Sequence, residues 1–335
     1  METVCQGIGE NYAFLDFSRF CEEVKKIVEE RLGAECEATL RNVVKNNRTE
    51  FRSLTIRRGD ETVIPTIYLE NFYREYEKGA ELGEVVSAIL RIYEANRNPW
   101  PEGIDFSFEG VKERISFRLI NFEKNEETLR DMPYIQFEDW AICFECVITR
   151  KEGQVGAVRV DNAMMREWET TLDELTELAK KNTYRLIPSK CEPIEEVLAG
   201  ILIARLEADE SLSEEEKQRQ RKQLVEDVLE HKEQAGLPMF VLSNALNHYG
   251  ANALLNIPFM DDVRLRLKED FFILPSSVHE IIVIPVSAAP SEEQLARMVQ
   301  EVNANEVPEE EFLAEGVYRY GLLRKELVAA LHTEV

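Results

Sequence analysis

The sequence predicts an α+β protein of mixed, mostly antiparallel sheets with helices packed on them, arranged in two lobes. Three observations predict it. Strand-like segments come in groups, over residues 38–69 and 134–160, rather than alternating singly with helices. Short polar turns, Asn46-Asn47, Arg58-Gly59-Asp60 and Lys151-Glu152-Gly153, separate neighbours within each group, as hairpins require. The chain has 335 residues, 44% of them hydrophobic, which at about 150 residues per domain is enough for two cores.

The elements follow in order. Phe17, Phe20, Val24, Ile27 and Val28 recur at helical spacing between Asp16, an N-cap, and Gly33, a stop. Ala38 to Val44, Phe51 to Arg57 and Thr62 to Leu69 read as a three-stranded antiparallel meander. Pro65 cannot donate to a ladder, so it makes the third strand an edge or breaks it. Helices are expected over Glu70 to Lys78 and again after Gly79, where Leu82, Val85, Val86, Ile89, Leu90 and Tyr93 form one face. Asn98-Pro99-Trp100-Pro101 ends the second. The spacing of Val111, Ile115, Leu119 and Phe122 predicts a further helix, with a short one over Glu126 to Arg130.

Tyr134 to Thr149 is strand-like and turns at Lys151-Glu152-Gly153 into a partner strand, Val155 to Val160. Thr171-Leu172-Asp173-Glu174 is a capping-box pattern opening a helix, and Pro193 opens another. Ser213 to Gln223 contains no apolar residue, with acidic residues leading and basic residues following, as the helix dipole favours. It is expected as a solvent-exposed helix, with a partner-binding arm as the sharper reading, stopped by Gly236-Leu237-Pro238. Phe240 to Leu242 is a strand, and Ala251 to Leu255 a strand or a helix start. The charge flanking Val263, Leu265 and Leu267 favours helix. Phe271 to Leu274 and Ile281 to Pro285 are core strands around Pro275-Ser276-Ser277, and Ser291 starts a last long helix. The lobes are expected as 1–137 (helix, meander, helices) and 138–335, the latter carrying the exposed charged helix near 211–235.

Charge narrows the function classes. Lys and Arg number 40 against 64 Asp and Glu, a net charge of −24. Phosphate neutralisation needs cations, so a nucleic-acid or anionic-membrane binder is disfavoured. Met1 to Asn11 lacks a signal peptide's basic and apolar regions. No apolar run approaches the roughly 20 residues of a membrane helix. With 6 scattered cysteines and no export signal, reduced thiols in a cytoplasm are expected.

Few residue sets suggest chemistry. Cys143 and Cys146 form a CxxC, but in an extended strand they point to opposite faces and nothing nearby completes a ligand set. They read as structural cysteines, and no metal or cofactor is expected. Ser276, Ser277, His279 and Glu280 form the most tempting local set. A serine nucleophile needs a base within hydrogen-bond reach, and Ser277 and His279 share a face if the chain is extended. No GxSxG elbow flanks them, which favours a turn between two strands. Tyr68, Phe72, Tyr73 and Tyr76 cluster at a strand–helix junction. Together with Tyr318, Arg319 and Tyr320 they offer binding candidates against a background of core packing.

Several phrases carry a resemblance: Val43-Val44-Lys45-Asn46-Asn47, Pro65-Thr66-Ile67-Tyr68-Leu69, Leu119-Ile120-Asn121, Ile273-Leu274-Pro275-Ser276-Ser277 followed by His279-Glu280, and Glu301-Val302-Asn303 through Tyr318-Arg319-Tyr320. In this order they resemble an uncharacterised family, domain of unknown function 5688, frequent in Firmicutes. The resemblance runs from Phe17 to Tyr320 and implies a bacterial cytoplasmic origin. It carries over no catalytic residue, and Cys143 and Cys146 lie outside its pattern. The function expected is that of a non-enzymatic protein acting through protein–protein contacts. The alternatives are a hydrolase using the Ser276–His279 region and a nucleic-acid-associated or acidic mimic protein.

Overall fold

A computed structural model describes residues 14–59, 64–96, 104–151, 154–209, 211–234 and 237–331. It has the α+β architecture the sequence predicts, built from three antiparallel sheets and the helices that accompany them. Two units divide it: residues 1–45 with 49–101, and residues 46–48 with 102–335.

The first unit opens with α1 (Phe17–Leu32), capped by the Asp16 carboxylate on the Arg19 N–H and ended by Gly33 at φ 78°. The strands β1 (Cys36–Val44), β2 (Glu50–Arg58) and β3 (Thr66–Tyr68) form the expected meander, with Cys36 opposite Arg58 and Leu54 opposite Ile67. β3 begins immediately after Pro65, as a residue without an N–H dictates. The expected residues 62–63 lie outside the described residues. The helices α2 (Glu70–Glu77) and α3 (Leu82–Ala95) complete the unit. Phe20, Val24, Leu54, Ile56, Ile89 and Tyr93 form its core.

In the second unit the run expected as a helix over Val111 to Phe122 is mostly a strand. A single turn, α4 (Phe108–Val111), precedes β4 (Ile115–Asn121), in which only Arg118 escapes burial. Covered on both faces, β4 shows no period of two, and its apolar residues mimic helical spacing. After α5 (Glu126–Leu129) come β5 (Tyr134–Phe137), β6 (Trp140–Lys151) and β7 (Gln154–Arg159). The stretch 134–149 is thus two strands, split where Glu138 adopts φ 49°. β6 is central, with β4 on one side and β5 and β7 on the other. A boundary at 137 would cut through this sheet; the units instead part at 101 and 102 because β4 and β5 both pair with β6. The turn residues Glu152 and Gly153 lie outside the described residues, as do the expected stops at 98–101 and at Gly236.

The free edge of β4 is covered by side chains. The Phe117 N–H donates to Thr183 Oγ1 at 2.9 Å, and Asn252 Nδ2 donates to the Phe117 carbonyl at 3.0 Å.

Next come α6 (Asn162–Glu167) and α7 (Leu172–Leu186), the latter with Thr171 as its N-cap. The last sheet is β12 (Tyr318–Arg319), β10 (Phe271–Leu274), β11 (Ile281–Pro285), β9 (Phe240–Asn244) and β8 (Ser189–Pro193) in spatial order. β10 and β11 pair with Phe271 opposite Pro285 and Leu274 opposite Ile282, the expected core strands. The remaining helices are α8 (Ile194–Ala208), α9 (Glu214–Gln234), α10 (Ile257–Leu267), α11 (Glu292–Asn305) and α12 (Tyr320–Leu331). The ambiguous 251–255 stretch is a 3-10 turn, Gly250–Leu255. α9 is the expected charged helix, and Ser213 to Gln223 is exposed apart from Lys217.

Residues 46–48 belong to this second unit through Asn47, which sits at φ 59°, a left-handed conformation asparagine tolerates. Its N–H donates to Asn125 Oδ1, and its side-chain amide donates to the carbonyls of Glu309 and Phe312.

Candidate functional site

The segment Ser276–Glu280 is a turn between β10 and β11, held from both sides. The Ser277 N–H donates to the Glu280 carbonyl at 3.1 Å, and Ser277 Oγ accepts the His279 N–H at 3.0 Å. The Val278 N–H donates to the Glu311 carbonyl at 2.8 Å, and Ser243 Oγ donates to the His279 carbonyl at 2.7 Å. Gly250 passes so close beneath that no side chain fits: a Cβ there would stand 2.3 Å from the His279 oxygen. The loop joining β9 to the 3-10 turn is shaped by Asn244, whose Oδ1 accepts the N–H groups of Leu246 and His248.

This scaffold turns the His279 ring away from the serines. Its Nδ1 accepts the Tyr249 N–H at 3.1 Å, and its Nε2 stands 3.8 Å from Glu311 Oε1. Burial lowers the His279 pKa, so the ring is neutral at pH 7 and carries its proton on Nε2. Among the described residues no hydrogen bond joins Ser276 or Ser277 to that ring, so the geometry of a serine activated by histidine is not assembled.

Two chemical environments meet here. One is a polar cluster over the β4–β6 face. Arg118 donates to the Tyr249 hydroxyl, and its guanidinium carbon lies 3.8 Å from the ring centroid. Glu145, on the same face of β6, is buried, and burial pushes its carboxyl up to about 7, opposed by the Arg118 charge. Burial, with help from His279 and Arg118, pushes His248 down to about 4. The sequence reading missed Glu145, though a signal exists: it is the only charged residue between Trp140 and Thr149.

The other is a pocket of about 360 Å³ between α11 and the end of the β10–β11 hairpin. Ile194, Met239, Leu274, Ile282, Met298 and Val302 supply apolar walls. Its polar lining is Ser276, Ser277, Glu280, Asn303, Glu306 and Glu311, with no Lys, Arg or His among the described residues that line it. Asn303 Nδ2 donates to the Ala314 carbonyl, while its Oδ1 is buried without a partner among the described residues. Burial raises the Glu280 pKa, with the Glu311 charge adding to it and His279 and Lys190 opposing. Ser276, Ser277 and Glu280 from the sequence reading therefore line the pocket; His279 does not line it, and its ring faces pocket-lining Glu311. Asn303, Glu306 and Glu311 were not found from sequence, because α11 and the segment after it meet the hairpin only through the fold.

The aromatic candidates are packed within their own units. Tyr68 stacks edge-on with Phe51, and the Lys45 ammonium lies 3.6 Å from its ring centroid. Tyr73 packs on Phe17 and Phe20 and donates to the Leu15 carbonyl. Tyr318 packs on Trp140 and donates to Asp139 at 2.5 Å; Arg319 donates to Asp270; buried Tyr320 stacks on Phe271 and donates to Asp261. Cys143 and Cys146 are buried, free and on opposite faces of β6.

Among the described residues no group of three or more His, Cys, Asp or Glu is placed to hold a metal ion. No helix there is long and apolar enough to cross a membrane. A family model described as a family of unknown function (DUF5688) matches residues 17–321. No curated protein and no solved structure matches the chain.

Proposed function

The chain belongs to this family of unknown function, DUF5688, and on that premise we propose that it is a non-enzymatic binding protein of the bacterial cytoplasm. Its pocket holds an apolar side chain from a basic segment of a partner protein. The observation that carries this is the lining of the pocket: apolar walls joined to the carboxylates of Glu280, Glu306 and Glu311. Glu280, Glu306 and Glu311 favour cationic flanks. The size suits one or two side chains, at the lower end of about 300–1,000 Å³ for ligand sites. Free buried thiols at Cys21, Cys143 and Cys146 support a reducing compartment.

Calorimetric titration with short peptides tests the reading. Each peptide carries a central Leu or Met, flanked by Lys in one set and by Glu in the other. The expected result is saturable binding of the Lys-flanked set, weakened by salt and by about tenfold or more in Met298→Arg. Equal binding of both sets, or none of either, overturns the proposal. Cleavage of a peptide, detected by mass spectrometry, would replace it with the hydrolase reading.

A further inference from the structure

α8 carries apolar residues on all its sides, yet only Ala199 and Leu206 are buried. Leu198, Ile201 and Leu202 are 53%, 45% and 46% exposed, although a helix with apolar residues all round normally has cover all round. α9 and the β8–β9 edge contact α8 without covering that side: Arg221 pairs with Glu207 at 3.3 Å, and Lys217 Nζ donates to the Glu207 carbonyl. Leu198, Ile201, Leu202 and Arg205 fall at the three- and four-residue spacings that form one stripe, and Glu195 stands one turn before Leu198 on its margin.

We propose that this stripe is covered by the same stripe of a second copy of the chain, paired antiparallel about a twofold axis. The charges select that occupant. A register setting Leu198 of one copy opposite Leu202 of the other also sets Glu195 opposite Arg205, and the twofold repeats both contacts. The pairing is therefore self-complementary, as an isologous interface requires. The antiparallel arrangement also opposes the helix dipoles, and Ile201 flanks the Leu198–Leu202 layer. A helix of this length alone falls short of the roughly 800 Å² per partner of a standard interface, so the pairing is a concentration-dependent one. It is independent of the pocket, and neither reading requires the other.

Sedimentation equilibrium of the full chain over a range of concentrations tests it. A reversible monomer–dimer equilibrium is expected, weakened about tenfold or more in Leu202→Glu and in Arg205→Glu. The double variant Glu195→Arg with Arg205→Glu restores dimerisation, because the twofold pairs the swapped charges again. Circular dichroism unchanged from wild type identifies which variants are folded. A wild-type chain that stays monomeric at every concentration overturns the proposal and leaves the stripe to a different protein. A dimer indifferent to Leu202→Glu, or a folded double variant that stays monomeric, overturns it as well.

Discussion

Gly250 lies directly beneath the His279 carbonyl: a Cβ built on Gly250 would stand 2.3 Å from that oxygen and 2.1 Å from Ser243 Oγ. Those two atoms are hydrogen-bonded to each other at 2.7 Å, so neither yields without breaking the link between β9 and the 276–280 turn. Gly250→Ala is expected to destabilise the protein by about 1–3 kcal/mol or more, the usual range for overpacking. Urea denaturation measures it, and a change within experimental error would show that the turn moves freely.

Glu145 and His248 predict a compensated pH response. Glu145 is raised to about 7 from an ordinary 4.5, so its contribution to stability is full below pH 4.5 and is lost as pH rises through 7. His248 is lowered to about 4 from 6.5, so its contribution is full above pH 6.5 and is lost as pH falls through 4. Between those limits the two slopes, each up to about 1.4 kcal/mol per pH unit, oppose one another. His279, lowered, and Glu280, raised, repeat the opposition. Wild-type stability is expected to be nearly flat from pH 5 to 6.5. Glu145→Gln should make it rise with pH, and His248→Gln should make it fall. Denaturation series across this range check the signs, and parallel curves for all three proteins would refute them.

Burial pushes the Cys143 and Cys146 thiols up to about 12. Thiolates are the reactive form, so both should resist a disulfide reagent at pH 8 in the native protein and react once it is unfolded. Peptide mapping after brief labelling gives the answer directly. Fast native labelling of Cys146 would contradict the burial seen in β6.

Neighbouring isoleucines of β11 should behave differently. Ile284 is fully buried, and Ile284→Ala should cost about 2–5 kcal/mol. Ile282 is half-buried and lines the pocket, so Ile282→Ala should cost less and instead weaken peptide binding. Equal losses of stability at the two positions would mean that the pocket wall is packed core.

The parts of the fold that were legible in the sequence are those set by local chemistry. Asp16 and Gly33 bound α1 because a cap and a left-handed stop act within a few residues. The 275–280 turn was legible for the same reason. β4 was misread because a strand buried on both faces loses its alternation. The unit boundary was misread because the pairing of β4 with β6 spans residues far apart in sequence. At the site, Ser276, Ser277 and Glu280 were visible as a cluster. The direction of the His279 ring was not, because Tyr249 and Glu311 fix it from other elements.

Thr183 and Asn252 have a consequence beyond the native fold. An uncovered outer strand is a template for aggregation, since its peptide groups accept a strand from any neighbouring molecule. Here a hydroxyl and a carboxamide take the Phe117 N–H and carbonyl that an incoming strand would use. Both side chains imitate a backbone without being able to propagate one. The strand is thereby closed to an incoming neighbour at Phe117, where resistance to misassembly rests on two small polar residues.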